Sequence, residues 1–415
     1  MTWRRAAAAL ALGLVALAQS RGLRAQSAVD LFNAQALQRI DLDLNSSDWS
    51  QLKADYLANT YYPVDLSWNG TKAHNAGVRS RGSASRNSRK PGLKVDFNQY
   101  VSGQTYLGLK SLVLDNLAQD ASGVHETTAM WFLSKFGVPA PREAHAVLYV
   151  NGVYSGLYAV VEAVDKTMIS RVYGDVEGSD TDGYLFEFNK AFVWGLNYLG
   201  PDLDPYKSFF DPKTHETSSD ETLYRPIETV VRLINETPPE NLAATVGPLL
   251  DLDELVRYVA VQNFMSEIDG FVGNYGVNNF YLYRPQHHDR QELIAWDEDL
   301  SFLDTDYSVT SNHDTNVLIA KLMAVPQYRD LYFATLRGAI VSAGDGASDV
   351  SAGAMENEIR REIDLVDAAM LSDSVRPWTT AEYEDAREYM KHFAPRRMRF
   401  VECEVARLTG ARPCD

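Results

Sequence analysis

Between Glu267 and Phe302 the chain concentrates oxygen-bearing side chains around two apolar runs. Asp269 stands where an apolar helical pattern ends, and the pair Asn278-Asn279 closes a Gly- and Asn-rich loop. Phe280–Tyr283 and Leu293–Trp296 follow as strands, and the polar link Arg284–Glu292 reads as a long hairpin turn. Asp297 and Asp299 come directly after the second strand. A hairpin brings its two ends together, so Asp269, Asn279 and Asp297 are expected around one small volume. Carboxylate and amide oxygens gathered there suit a hard cation such as magnesium. A spare carboxylate beside it can accept a hydroxyl proton, which is the layout that phosphoryl transfer needs. A carboxylate is also poorly placed at a helix C-terminus, where the helix dipole disfavours it. Asp269 is therefore expected to have a compensating cation or a chemical task.

The second candidate region is V-R-S-R-G-S-A-S-R-N-S-R-K-P-G-L-K-V-D-F, residues 78–97. Arg79, Arg81, Arg86, Arg89, Lys90 and Lys94 make it the most basic part of an acidic chain. Such a loop offers cations and backbone N–H groups to phosphates. It lacks the G-x-x-x-x-G-K-[ST] pattern of a Walker loop, and its plain alternative is a solvated loop balancing acidic neighbours. Glu162 closes an apolar strand just before a helix, a frequent place for functional carboxylates, while Asp165 reads as the cap of that helix.

These groups sit in a chain of 415 residues with a formal net charge of -17. That charge argues against nucleic acid and against an anionic membrane surface as partners. A phosphate site must then be built locally, from basic residues and a metal. Arg4 and Arg5 precede the apolar run Ala6–Ala18, with Ala16-Leu17-Ala18 as a cleavage site and a second possible cut after Ala25, so residues 1–25 read as an export signal. No later stretch is apolar enough for a membrane helix, and membrane insertion is not expected. The only cysteines, Cys403 and Cys414, are expected to pair in an exported protein. No Ser-His-Asp set and no H-E-x-x-H helix is present, which leaves hydrolase and zinc-protease readings without support.

Periodicity places strands in the first half and helices in the second. Asn151-Gly152 marks a hairpin between Ala144–Val150 and Tyr154–Val161. The expected organisation is a sheet-rich lobe over 26–190, a linking loop over 191–222, and a helical lobe over 223–415 that carries the Phe280–Trp296 hairpin. The hairpin then lies in the crevice between an α+β pair of lobes.

In family order the chain shows R-S-R-G-S, K-P-G-L-K-V-D-F, L-Y-V-N-G-V-Y-S-G-L-Y-A-V-V-E-A-V-D-K, D-P-K-T-H-E-T-S-S-D, I-D-G-F-V-G-N-Y-G-V-N-N-F-Y-L-Y and A-W-D-E-D-L-S-F. Over about residues 35 to 400 it resembles the CotH kinase-like family, the spore-coat protein H proteins. The N-G-x-Y-x-G-L-Y…E and W-D-x-D pieces are the most specific. The resemblance implies a two-lobed atypical protein-kinase fold. It also implies a secreted or surface enzyme that moves the ATP γ-phosphate to Ser/Thr of extracellular or surface proteins, with Mg2+ or alternatively Mn2+. It makes Asp269 the catalytic carboxylate, Asn279 and Asp297 the metal pair, and Asp299 a second candidate ligand. One of Lys90 or Lys94 would contact the α/β-phosphates, Glu162 would hold that lysine or a metal, and Arg81 would steady the phosphate-covering loop. Three departures stand out: Glu298 replaces an apolar residue between the two acids, the Arg284–Glu292 turn is long, and the Gly loop reads R-G-S-A-S. An envelope or coat-assembly binding protein that kept the fold without the chemistry fits the same export signal and acidic charge. A metal-dependent phosphatase would usually need two metals and more ligands than the chain gathers here.

Overall fold

The computed structural model describes residues 26–174, 181–286, 288–348 and 351–411. The expected export signal at 1–25, His287 and Cys414 lie outside these residues, so the expected Cys403–Cys414 pairing falls partly outside them as well. The fold is mixed α+β, with a sheet-rich N-terminal region and a helical C-terminal region.

Seven strands form a closed barrel in the order β1-β2-β3-β4-β5-β7-β6. They are β1 Gln38–Asp43, β2 Tyr62–Trp68, β3 Thr71–Arg81, β4 Gly92–Asp96, β5 Ser111–Asp115, β6 Glu143–Val150 and β7 Val153–Glu162. All neighbours run antiparallel except β1 and β6, whose parallel pairing closes the barrel. The β6–β7 hairpin turns at Asn151 (φ 52°) and Gly152 (φ 75°), the double positive φ of a tight two-residue turn. Alternation decides what each strand offers. Leu93, Val95, Leu112, Leu114, Val160 and Tyr158 fill the barrel. Val113, Leu157, Ala159 and Val161 face outward and join the large core shared with the helices. Lys94 and Asp115 alternate with the interior residues and so share that outer face.

A second sheet has the order β11-β10-β8-β9, with β8 Tyr184–Phe188, β9 Phe210–Pro212, β10 Phe280–Arg284 and β11 Glu292–Ala295. Here the sequence expectation needs correction. β8 joins the hairpin's sheet and not the first one, because Glu187 pairs with Tyr281 and Phe186 with Leu282. The stretch 191–222, expected as a loop, contributes β9 and the short helix Asp204–Lys207. Packed rings hold it there: Phe188 stacks on Phe209 at 5.6 Å and on Phe280 at 4.8 Å, Trp194 stacks on Phe209 at 4.7 Å, and Phe210 meets Phe280 edge-on at 6.5 Å. The short helix Leu242–Thr245 stops there, because Gly247-Pro248 cannot continue it.

The helix Leu252–Met265 is buried on almost every side and ends at Ser266 in the left-handed conformation (φ 55°). Its last carbonyls are capped by a side chain from far along the sequence. Arg397, fully buried in the helix Thr380–Leu408, donates to the carbonyls of Asn263, Phe264, Thr305 and Tyr307. It thereby fixes the helix end three residues before Asp269. Arg397→Met strands these carbonyls without water and is expected to cost about 3 kcal/mol or more of stability. Urea unfolding checks this, and an unchanged midpoint would contradict the capping role.

Candidate active site

Asp269, Asn279 and Asp297 come together as the hairpin required. Asn279 immediately precedes β10 and Asp297 follows β11, and both adopt left-handed backbone, φ 55° and 58°. Such positions are tolerated by Asn and Asp but still cost energy, and they aim the two side chains off the strand axis. The Asn279 amide nitrogen donates to the Asp297 carbonyl at 3.0 Å and approaches Asp269 Oδ2 at 3.5 Å. With its nitrogen turned inward, the amide oxygen is the atom left over for a cation. On the main-chain side, Asp269 N donates to Glu267 Oε1 at 2.7 Å, and Ser301 Oγ donates to Glu267 Oε2 at 2.7 Å.

The compensating cation at Asp269 is Lys190, whose Nζ lies 3.2 Å from Oδ1. Nothing in the sequence pattern pointed to it, since it sits 79 residues away in the loop after β8. Asp297 is half-buried and has no ion pair within 4.0 Å among the described residues; desolvation pushes its carboxyl up to about 6, with Arg81 opposing and Asp115 and Asp269 adding. Asp299 is displaced well upward, by burial first and then by Asp297 and Asp115. Its carbonyl contacts His125 Nδ1 at 3.0 Å, tying this turn to the helix His125–Ser134. Glu298, the departure between the two acids, points away into the Leu252–Met265 helix, where Tyr258 and Gln262 each donate to Oε1 at 2.7 Å.

The barrel's outer face supplies the basic side. Arg81 stacks over the Trp296 ring at 5.3 Å and lies 4.0 Å from Asp115. It does not steady the basic loop. Arg86 does that, reaching Gly82 O at 2.7 Å and Tyr56 O at 3.0 Å, while Asn116 Nδ2 holds Ser85 O at 2.9 Å and Lys90 O at 2.8 Å. The two candidate lysines separate clearly. Lys90 is 1% exposed and paired with the buried Asp373 at 2.7 Å, so it latches the loop to the segment after the helix Ala354–Ser372. Lys94, on the outer face of β4, has no ion pair within 4.0 Å among the described residues. Burial lowers its pKa, Asp96 opposes the shift, and Arg79 and Lys213 add to it. Glu162 meets neither lysine: Arg142 takes Oε1 at 2.6 Å and Arg171 takes Oε2 at 2.7 Å. Two guanidinium forks saturate it as a structural anchor.

Two further acids, Asp115 and Glu126, were not singled out from the sequence. Asp115 ends β5 and Asp297 comes just after β11, each an acid at the end of an apolar run, a parallel that was legible. Glu126 lies in the first turn of the helix His125–Ser134, buried, and displaced well upward by burial and then by Glu143, Asp297 and Asp115. Among the described residues no three His, Cys, Asp or Glu side chains already sit at metal-ligand spacing. Magnesium usually takes one or two protein carboxylates and completes its shell with phosphate and water. The Asp297 carboxylate and the free Asn279 oxygen fit that demand. A cavity of about 540 Å³ lies elsewhere, beside Phe32, Trp131, Arg142 and Glu143, and holds none of Asp269, Asn279 or Asp297.

Comparison with known proteins agrees on the family. The family model described as CotH kinase protein matches residues 78–401. Inner spore coat protein H of Bacillus subtilis (strain 168) is 24% identical over 277 residues, spanning 65% of this chain and 70% of that protein. Among solved structures, the Shewanella oneidensis MR-1 complex of HipA, HipB and operator DNA aligns over 86% of this chain and 67% of that chain, at 12% identity and a TM-score of 0.35. That last likeness is too low to carry an argument.

The crowding of acids has a measurable consequence. Burial first, then neighbouring charge, raises Glu362 and Glu254 each to about 8. The native state keeps protons there that the unfolded chain has released at neutral pH. Their stabilising contribution is therefore complete in acid and is lost as pH climbs towards 8, at about 1.4 kcal/mol per pH unit for each carboxyl. Urea titrations at about pH 5, 6 and 7 are expected to show stability falling, and Glu362→Gln is expected to flatten the slope. An unchanged slope in that variant would contradict proton retention at Glu362.

Proposed function

The chain belongs to the CotH kinase protein family, and on that premise we propose that it is an atypical, Mg2+-dependent protein kinase. It would act on exported or surface proteins, moving the ATP γ-phosphoryl group to a Ser/Thr hydroxyl. In this reading the barrel is one lobe, and the second sheet with its helices is the other. Kinship with an inner spore coat protein supports a coat or surface location.

The observation that carries the proposal is the Asn279 amide spanning Asp269 and the Asp297 carbonyl. It supports reading Asp269 as the base and Asn279 with Asp297 as the metal-binding pair, with Arg81 and Lys94 on the outer face of the barrel. Bound Mg2+ would neutralise charge on the β- and γ-phosphates. Asp269 accepts the proton of the acceptor hydroxyl as its oxygen bonds to the γ-phosphorus and the bond to the β–γ bridging oxygen breaks, releasing ADP. Lys94, without an ion pair among the described residues, is the lysine suited to the α/β-phosphates, while Lys90 is committed to Asp373. Arg81 is close enough to Asp297 to offset its charge before nucleotide arrives.

A second reading follows from the coat protein's name: a coat-assembly or adhesin-like binding protein that has lost catalysis. One assay separates them. With γ-labelled ATP, Mg2+ and casein, the wild-type chain is expected to transfer label. Asp269→Ala and Asp297→Ala are each expected to lower the rate by about 100-fold or more, with circular dichroism unchanged. Full activity in either variant overturns the site, and no transfer by the wild type favours the binding protein.

A further inference from the structure

Asp269 is the proposed base, yet its own loop, Gly270–Asn278, contains no lysine or arginine. The cation comes from another part of the fold. We propose that Lys190 is a positioning residue for Asp269, holding its carboxylate in the orientation that receives the acceptor proton; this rests on the phosphotransferase reading above.

Lys190 Nζ lies 3.2 Å from Asp269 Oδ1 and 5.0 Å from the centre of the Tyr275 ring. Asn279 Nδ2 approaches the opposite oxygen, Oδ2, at 3.5 Å. The carboxylate is thus held between an ammonium group and an amide. Among the described residues, Lys190 is the only basic side chain within 4.0 Å of a carboxylate oxygen of Asp269, Asp297 or Asp299. The main chain of Asp269 is already fixed through Glu267, so the remaining freedom is rotation of the side chain, and Lys190 removes it.

An exposed lysine is ordinarily mobile, and two features restrain this one. The Tyr275 ring gives the ammonium a face to rest on. The loop that carries Lys190 is also fastened to the loop that carries Asp269. Val277 N donates to Trp194 O at 2.8 Å, and Gly276 approaches so closely that a Cβ there would stand 2.6 Å from the Trp194 carbonyl oxygen. Asn189 N is held in turn by Phe209 O at 2.6 Å. Lysine and aspartate are therefore presented from a single rigid assembly of loops. A catalytic group needs such restraint, because a displacement of about 1 Å costs on the order of 100-fold in rate.

The test uses the full chain with γ-labelled ATP, Mg2+ and casein, measuring kcat and KM for ATP. Lys190→Met is expected to lower kcat by about tenfold or more, with KM for ATP within about twofold. Lys190→Arg, which restores a cation of similar reach, is expected to recover most of that loss, and both variants should melt close to the wild type. The proposal is overturned if Lys190→Met keeps wild-type kcat, if the loss is entirely in KM, or if Lys190→Arg is no faster than Lys190→Met. A wild type that transfers no phosphate fails differently: it removes the phosphotransferase reading itself, and this role with it.

Discussion

Negative charge confined to a water-poor volume is the constraint around which the centre of this molecule is arranged. Asp115, Glu126, Glu267, Asp269, Asp297 and Asp299 act on one another there. Two carboxylates about 5 Å apart at an effective dielectric near 20 repel by roughly 3 kcal/mol. The structure relieves this in three ways. Buried members keep their protons, as at Glu267, raised to about 8 by burial first and by Asp269 and Asp297 after it. Cations are brought in from elsewhere: Lys190 to Asp269 and Arg81 towards Asp297 and Asp115. The Asn279 amide supplies a dipole where another charge would worsen matters. In the proposed reading, a divalent ion under a triphosphate would be a further remedy of the same kind.

Holding the acids together requires backbone that ordinary strands do not provide. Asn279 and Asp297 both turn into the left-handed region at the two ends of one hairpin. Ser266 does the same at the end of the buried Leu252–Met265 helix, whose last carbonyls are held by Arg397. The strained residues therefore rest on a hairpin, a central helix and a long terminal helix, elements buried in one shared core. The basic loop is secured in a comparable way, through Asn116 and the Lys90–Asp373 pair.

Local signals were legible where they depend on neighbours in sequence. The Asn151-Gly152 hairpin, the Asp165 cap and the hairpin that unites Asn279 with Asp297 all follow from alternation, turn chemistry or capping. The helix dipole at Asp269 likewise implies a compensating cation, and Lys190 supplies it. What escaped reading is set by long-range pairing. β8 joining β10, barrel closure by β1 and β6, and the arrival of Lys190 all depend on packing between distant segments. Glu162 was misread for the same reason: a strand-end glutamate looks functional until Arg142 and Arg171 occupy both of its oxygens. Lys90 and Lys94 are four residues apart in one basic run, and only burial and the presence of Asp373 tell them apart.

The central claim is geometric: Asn279 and Asp297 offer one divalent ion a seat beside Asp269. Crystals grown with Mn2+ and a non-hydrolysable ATP analogue test it through the anomalous signal of manganese. The account predicts a peak within coordination distance of Asn279 Oδ1 and the Asp297 carboxylate, with phosphate oxygens completing the shell. A peak elsewhere, or nucleotide bound with no metal at this pair, would contradict it.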